Sequence, residues 1–144
     1  MDRGFYAGEA AHIAGIPYST LDHWARTGFI TPSISEARGA GRGRLYSFKD
    51  LVALRVAREL RNKGVSIRSL RQVVRLLHRT GLQYPLAEAR LLVVGKDVAL
   101  VNSAQEIESV LARPGQLYLT PATILDLRKP IAEVHRGIER LRVA

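Results

Sequence analysis

The chain contains no cysteine. Disulfides, thiolate zinc sites, iron–sulfur clusters and thiol redox sensing are therefore excluded, and the composition fits a cytoplasmic protein. Aromatic residues make up only 6% of the chain, with a single tryptophan. No apolar run approaches the ~20 residues that span a bilayer, so no membrane association is expected. Residues 1–5 carry both signs of charge and open no apolar stretch, which argues against a signal peptide. Phosphate-binding fingerprints are missing as well, because the glycines of residues 39–44 are followed by no Lys-Ser/Thr pair. The four histidines (His12, His23, His78 and His135) are scattered without metal-ligand spacing and read as ordinary surface or core residues. No Ser/His/Asp set has motif support. The chain therefore reads as a non-enzyme with no cofactor and no metal.

Acids are scarce relative to bases. There are 13 Asp and Glu against 22 Lys and Arg, a formal charge of +9 over 144 residues. Arginine supplies 18 of the 22 cations, which suits phosphate because its planar fork binds bidentately. A GC-rich genome would raise arginine too. The charge is concentrated in one half: residues 1–80 hold 14 Lys/Arg and 6 Asp/Glu, and residues 81–144 hold 8 and 7. Asymmetry of this kind suggests a polyanion-binding half, residues 1–80, joined to a second module, residues 81–144. The break falls near Gly81 and Pro85, where a helical pattern closes. With 47% hydrophobic residues, the length suits one ordinary domain or two small ones that share a core.

In the first half, residues 7–14 read as a short helix ending at Gly15. A second helix starts at Ile16-Pro17 and ends at Gly28, with Leu21 and Trp24 on one face. Two short helices joined by a tight turn have the layout of a helix-turn-helix, although many helical hairpins bind nothing. Phe29-Ile30 and Leu45-Tyr46-Ser47 flank a Gly/Arg loop and read as two short strands of a hairpin whose tip holds Arg38, Arg42 and Arg44. Such a tip supplies phosphate or minor-groove contacts, or is simply solvated. Ser47 then caps a helix, with Asp50 in the place of the capping-box acid and Leu51, Leu54, Val56, Ala57 and Leu60 as its apolar stripe up to Gly64. Ser66 caps the next, striped by Ile67, Leu70, Val73, Val74 and Leu77. Arg55, Arg58, Arg61, Arg68, Arg71, Arg75 and Arg79 fall on the polar faces of these helices. Most are expected to be solvated, with one or two reaching phosphate.

The run from Ile16 to Ile30, IPYSTLDHWARTGFI, resembles the turn and second helix of MerR-family regulators. Residues 44–51, RLYSFKDL, are similar to that family's wing exit and third-helix start, and residues 64–68, GVSIR, to the start of its fourth helix. The resemblance spans about residues 5–79 and implies a winged helix-turn-helix that binds double-stranded DNA. Its second helix would lie in the major groove and its wing on the flanking backbone or minor groove. On that implication Tyr18, Ser19, Asp22 and His23 face outward as candidates for base or nearby phosphate contacts, and Thr20 and Arg26 hold phosphate. Tyr46 joins the DNA-facing set, half-buried beneath the wing. Leu21 and Ile30 are core, and Trp24, where the family usually carries tyrosine, is a core-facing anchor. Asp22 departs from the pattern. An acid facing DNA repels phosphate, so it either accepts from a cytosine amino group or orients a neighbouring arginine.

The second half lacks the long dimerisation helix usual in that family. Residues 90–94 and 98–101 flank Gly95-Lys96-Asp97 and read as a hairpin around a three-residue turn. Ser103 is placed as the cap of a helix running to Ala112, with Glu106 as the reciprocal acid and Pro114-Gly115 as its stop. Residues 116–119 are a possible third strand. A closing helix over about 130–143 carries Ile131, Val134, Ile138 and Leu141 on one face, which would pack on the module itself or pair two copies into a homodimer. This tail resembles an antitoxin-like α/β module found behind MerR-like headpieces. The expected fold is thus mainly α with small β elements, an α+β chain: a winged helix-turn-helix followed by a small hairpin-plus-helices module. Two functions follow. One is a dimeric DNA-binding transcriptional regulator, with or without a small-molecule effector. The other is an antitoxin-type adaptor whose second half grips a protein toxin while the headpiece autoregulates.

Overall fold

The structure is a computed structural model that describes residues 4–35 and 43–118. It divides into two compact units, one holding the described residues up to Arg58 and the other those from Glu59 onward. Helices and small antiparallel sheets make an α+β chain, in agreement with the sequence.

In the first unit, β1 (Phe5–Tyr6) leads into α1 (Ala7–Ala14), α2 (Tyr18–Arg26), β2 (Leu45–Tyr46) and α3 (Phe48–Asn62), which runs on into the second unit. Helix α1 stops where its sequence does. Gly15 adopts φ +74°, and the amides of Gly15 and Ile16 both reach back to the Ala11 carbonyl, at 2.9 and 3.0 Å. A left-handed glycine that returns two amides to the preceding turn is the usual helix stop. Gly28, Gly64 and Gly81 repeat it after α2, α3 and the next helix. The left-handed φ favours glycine at position 15, and a Cβ there would also lie 2.6 Å from Arg55 Nη1, displacing that guanidinium. Arg55 in turn donates to the Ala14 carbonyl at 3.2 Å, placing a cation at the negative end of α1. That arginine serves the fold rather than lying on a solvated face.

The start of α3 is a reciprocal cap. The Asp50 amide donates to Ser47 Oγ at 3.1 Å, and the Ser47 amide donates to Asp50 Oδ2 at 2.8 Å. Ser33 joins it through its amide and its hydroxyl, each 2.7 Å from the same carboxylate oxygen. This loop segment is thereby stapled to the helix. Phe5, Leu21, Trp24, Tyr46, Leu51 and Leu54 are buried, and the Trp24 and Phe29 rings meet edge-to-face at 5.2 Å.

The expected pairing of Phe29-Ile30 with Leu45-Tyr46 is not what forms. Strand β2 pairs antiparallel with β1, Phe5 opposite Tyr46 and Tyr6 opposite Leu45, and Ser35 makes a single bridge to Leu45. The cause is local: the amides of Phe29 and Ile30 are spent on the Trp24 carbonyl in closing α2, so neither is free for a ladder.

The second unit takes the end of α3, then α4 (Ile67–Arg79), a one-turn α5 (Pro85–Glu88) and a four-stranded antiparallel meander of β3 (Leu91–Val94), β4 (Asp97–Val101), β5 (Ile107–Ser109) and β6 (Leu117–Tyr118). Ser66 caps α4 through its side chain, and Leu70, Val73 and Leu77 are buried along one stripe. Pro85 opens a helix where the sequence suggested only a break; proline is well suited to a first helical position. The β3–β4 hairpin closes with two residues rather than three, because Val94 pairs directly with Asp97 and only Gly95 takes positive φ.

The helix expected over 103–112 is absent. Asn102 intercepts it: its Oδ1 accepts the amides of Ala104 and Glu106 at 3.0 and 2.9 Å, and its own amide donates to the Glu106 carbonyl. The chain turns there, with Gln105 at φ +63°, and returns as β5. Asp97 holds the far end of the meander. Its buried carboxylate accepts from Ser109 Oγ at 2.6 Å, from the amides of Leu111 and Ala112 at 3.1 and 2.9 Å, and from the Tyr118 hydroxyl. Burial pushes this carboxyl up, but the four hydrogen bonds outweigh it and hold it below its ordinary value. The Tyr118 hydroxyl, bonded to that carboxylate, is pushed up. The stripe Ile131, Val134, Ile138 and Leu141, like the closing helix that carries it, lies outside the described residues.

Candidate nucleic-acid interface

Helix α2 has nine residues and two contrasting faces. Leu21 and Trp24, three apart, are buried, as the sequence suggested, and anchor the helix; full burial of side chains of this kind is worth about 1.5–3 kcal/mol each. Tyr18, Ser19, His23 and Arg26 are exposed, and Thr20 and Asp22 are half-exposed. Spacings of three and four put these residues on neighbouring turns. Tyr18 keeps 57% of its surface free although it is a large aromatic residue. The helix thus offers hydroxyl, imidazole, phenol and guanidinium groups on one side and fixes itself by its other side.

Asp22 is not an isolated acid. Arg44 Nη1 donates to its Oδ1 at 2.6 Å and Arg26 Nε donates to its Oδ2 at 2.9 Å. The Arg44 bond is the strongest influence on the carboxyl and holds it below the ordinary carboxylate range, against partial burial, with Arg26 adding to the effect. Of the two roles open to Asp22 from sequence, this geometry is that of an acid orienting arginines. Arg44, just before β2, is therefore turned onto α2; Arg38 and Arg42 lie outside the described residues.

Tyr46 is fully buried rather than half-buried, which removes it from any surface that meets DNA in this conformation. Its hydroxyl has no hydrogen-bond partner among the described residues, and desolvation pushes it up to about 12. Tyr6, which the sequence did not single out, is an exposed aromatic on β1, opposite Leu45 of β2. Its ring lies so close to Gly43 that a Cβ there would come within 2.9 Å of it. The available signal was the pair Phe5-Tyr6 ahead of α1, one ring buried and one exposed, as alternation along a strand requires. Ser33 was missed too, because its partner Asp50 lies 17 residues away.

In the second unit, α4 has no acid and carries Arg68, Arg75 and Arg79 exposed, with Arg71 half-exposed. Among the described residues no group of His, Asp and Glu is arranged to hold a metal ion, and no helix is long and apolar enough to cross a membrane.

Comparison with known proteins agrees with this geometry. Residues 5–77 match the family described as MerR HTH family regulatory protein. Over 108 residues the chain is 41% identical to uncharacterised HTH-type transcriptional regulators of Mycobacterium bovis and Mycobacterium tuberculosis, covering 75% of this chain and 48% of theirs. It is 30% identical over 93 residues to a Streptomyces coelicolor protein named as the heat shock protein HspR, covering 63% of this chain and 59% of that one. The chain spans about half the length of the mycobacterial relatives it matches. Two short helices joined by a tight turn and anchored by Leu21 and Trp24, with a family match over residues 5–77, lead to one conclusion: the chain belongs to the MerR family of helix-turn-helix regulatory proteins.

Proposed function

We propose that this protein is a sequence-specific regulator of transcription that binds double-stranded DNA as a dimer, with α2 in the major groove and the wing on the flanking backbone or minor groove. The observation that carries this reading is the exposed face of α2. Ser19 and His23 offer hydrogen bonds to base edges, while Tyr18, Thr20 and Arg26 are placed for phosphate. Arg38 and Arg42 supply phosphate contacts from the wing. Dimerisation through Ile131, Val134, Ile138 and Leu141 gives the two-fold axis that a pseudo-palindromic site requires.

The test is titration of the purified protein onto the duplex upstream of its own gene, at several salt concentrations, beside a scrambled duplex. Tight, selective binding that weakens with salt by about 0.9 logarithmic units per phosphate contact supports the reading. Arg42→Ala lowers affinity for every duplex and makes the slope shallower, whereas Ser19→Ala or His23→Ala alters sequence preference, by about 1–3 kcal/mol at one base step. Weak binding, equal for both duplexes, overturns it and returns the antitoxin-type alternative, in which residues 81–144 hold a protein toxin.

A further inference from the structure

Asp22 stands in the middle of the α2 face assigned to DNA, where a lone carboxylate would oppose phosphate. It is not alone: it bridges two arginines of unequal cover. The Arg44 side chain is 16% exposed, that of Asp22 29% and that of Arg26 64%. The Asp22–Arg44 bond joins residues 22 apart and ties α2 to the foot of the wing. The next residue, Leu45, is where the wing closes: its amide donates to the Ser35 carbonyl at 2.7 Å, and its carbonyl accepts the amides of Ile34 and Ser35 at 3.2 Å. The Arg26 bond uses Nε–H alone, one of five guanidinium donors, so four remain for a phosphate in a fixed orientation.

We propose that Asp22 is a positioning residue for DNA binding: through Arg44 it fastens the wing foot to the recognition helix, through Arg26 it presents a pre-oriented guanidinium to phosphate, and it makes no base contact. The proposal rests on the DNA-binding reading above. It has a consequence opposite to simple charge counting. If Asp22 acted only as a repulsive acid, its removal would tighten binding to any duplex. As a tie, its removal frees Arg44 and the wing foot, whose ordering must then be supplied on binding.

The experiment uses the full chain and the variants Asp22→Ala, Arg44→Ala, their combination, and the reciprocal swap Asp22→Arg with Arg44→Asp. Amide exchange is measured without DNA, and affinity for the upstream duplex is measured across salt. Asp22→Ala and Arg44→Ala are each expected to speed exchange at Leu45 and to weaken duplex binding by about fivefold, while Leu54 in α3 keeps its protection. The combination costs no more than Asp22→Ala alone, because that change already breaks the bond to Arg44 along with the one to Arg26. The swap restores protection at Leu45, which a substitution that merely damaged packing would not allow. Unchanged exchange at Leu45 together with equal or tighter binding by Asp22→Ala overturns the proposal. A wild-type chain that treats upstream and scrambled duplexes alike overturns the DNA reading instead, and the exchange measurements then decide the tie by themselves.

Discussion

Among the described residues each unit buries one aspartate, and the two carboxylates collect their hydrogen bonds over different distances along the sequence. Asp50 takes a reciprocal bond from Ser47, three residues back, and adds Ser33, 17 residues back. Asp97 has no such local partner: its donors lie 12, 14, 15 and 21 residues ahead. In the first unit the carboxylate finishes a helix that also has a buried apolar stripe. In the second it replaces packing that short strands cannot supply. Strands β5 and β6 have three and two residues, Leu117 on β6 is exposed, and of residues 110–116 only Val110 is buried. The lesson is that a buried carboxylate matters most where the surrounding elements are shortest.

Four measurements can break or sharpen that contrast. Asp97→Ala has the largest expected effect, about 3–4 kcal/mol, because it strands Ser109 Oγ, the Tyr118 hydroxyl and two amides at once. Exchange protection of the Leu92 and Ala99 amides in urea reads it. The same group sets an acid limit. Its carboxyl is held below the ordinary 3.8, so its contribution is complete above that pH and is lost as pH falls through the lower folded value. The meander is therefore expected to loosen only under strongly acid conditions, and Asp97→Ala removes that acid dependence.

Asp50→Ala is expected to cost less, about 2 kcal/mol, since the stripe of α3 persists without its cap. The single tryptophan, Trp24, reports the first unit by fluorescence during urea unfolding. A loss equal to that of Asp97→Ala would sink the contrast. Gly15→Ala follows at about 1–2 kcal/mol, from a left-handed φ and a Cβ pressed against the Arg55 guanidinium, with the same fluorescence as readout. Tyr118→Phe is the smallest, about 0.5–1 kcal/mol, because Asp97 keeps three of its four donors. An effect near that of Asp97→Ala would show that the tyrosine carries the turn by itself.

Legibility in the sequence followed the same division. Helices α1 and α2, the stops at Gly15, Gly28 and Gly64, and the caps at Ser47 and Ser66 were all readable, as were the buried Leu21 and Trp24. Each depends on residues within about one turn of one another. The partner of β2 was not readable, because Phe5 lies 41 positions from Tyr46 and Phe29-Ile30 offered a nearer apolar pair. The Ser103 helix failed for a related reason. Ser103 and Glu106 have capping-box spacing, but Asn102, one residue earlier, takes the Glu106 amide first. Of the candidate site, the exposed face of α2 was legible from helical period and family resemblance. The direction of Arg44 was not, since it depends on Asp22, 22 residues away.

The sequence by itself therefore determined the local grammar: where helices start and stop, which face of α2 is anchored, and that the basic charge belongs to the first 80 residues. Short-range hydrogen bonds and side-chain periodicity suffice for these, because the partners are adjacent in the chain. Only the tertiary structure decided which strand pairs with β2, that residues 107–109 extend rather than coil, and that Asp22 and Asp97 are tied groups rather than free acids. Those outcomes depend on groups brought together across loops, where many alternative partners have similar local propensity and packing selects one.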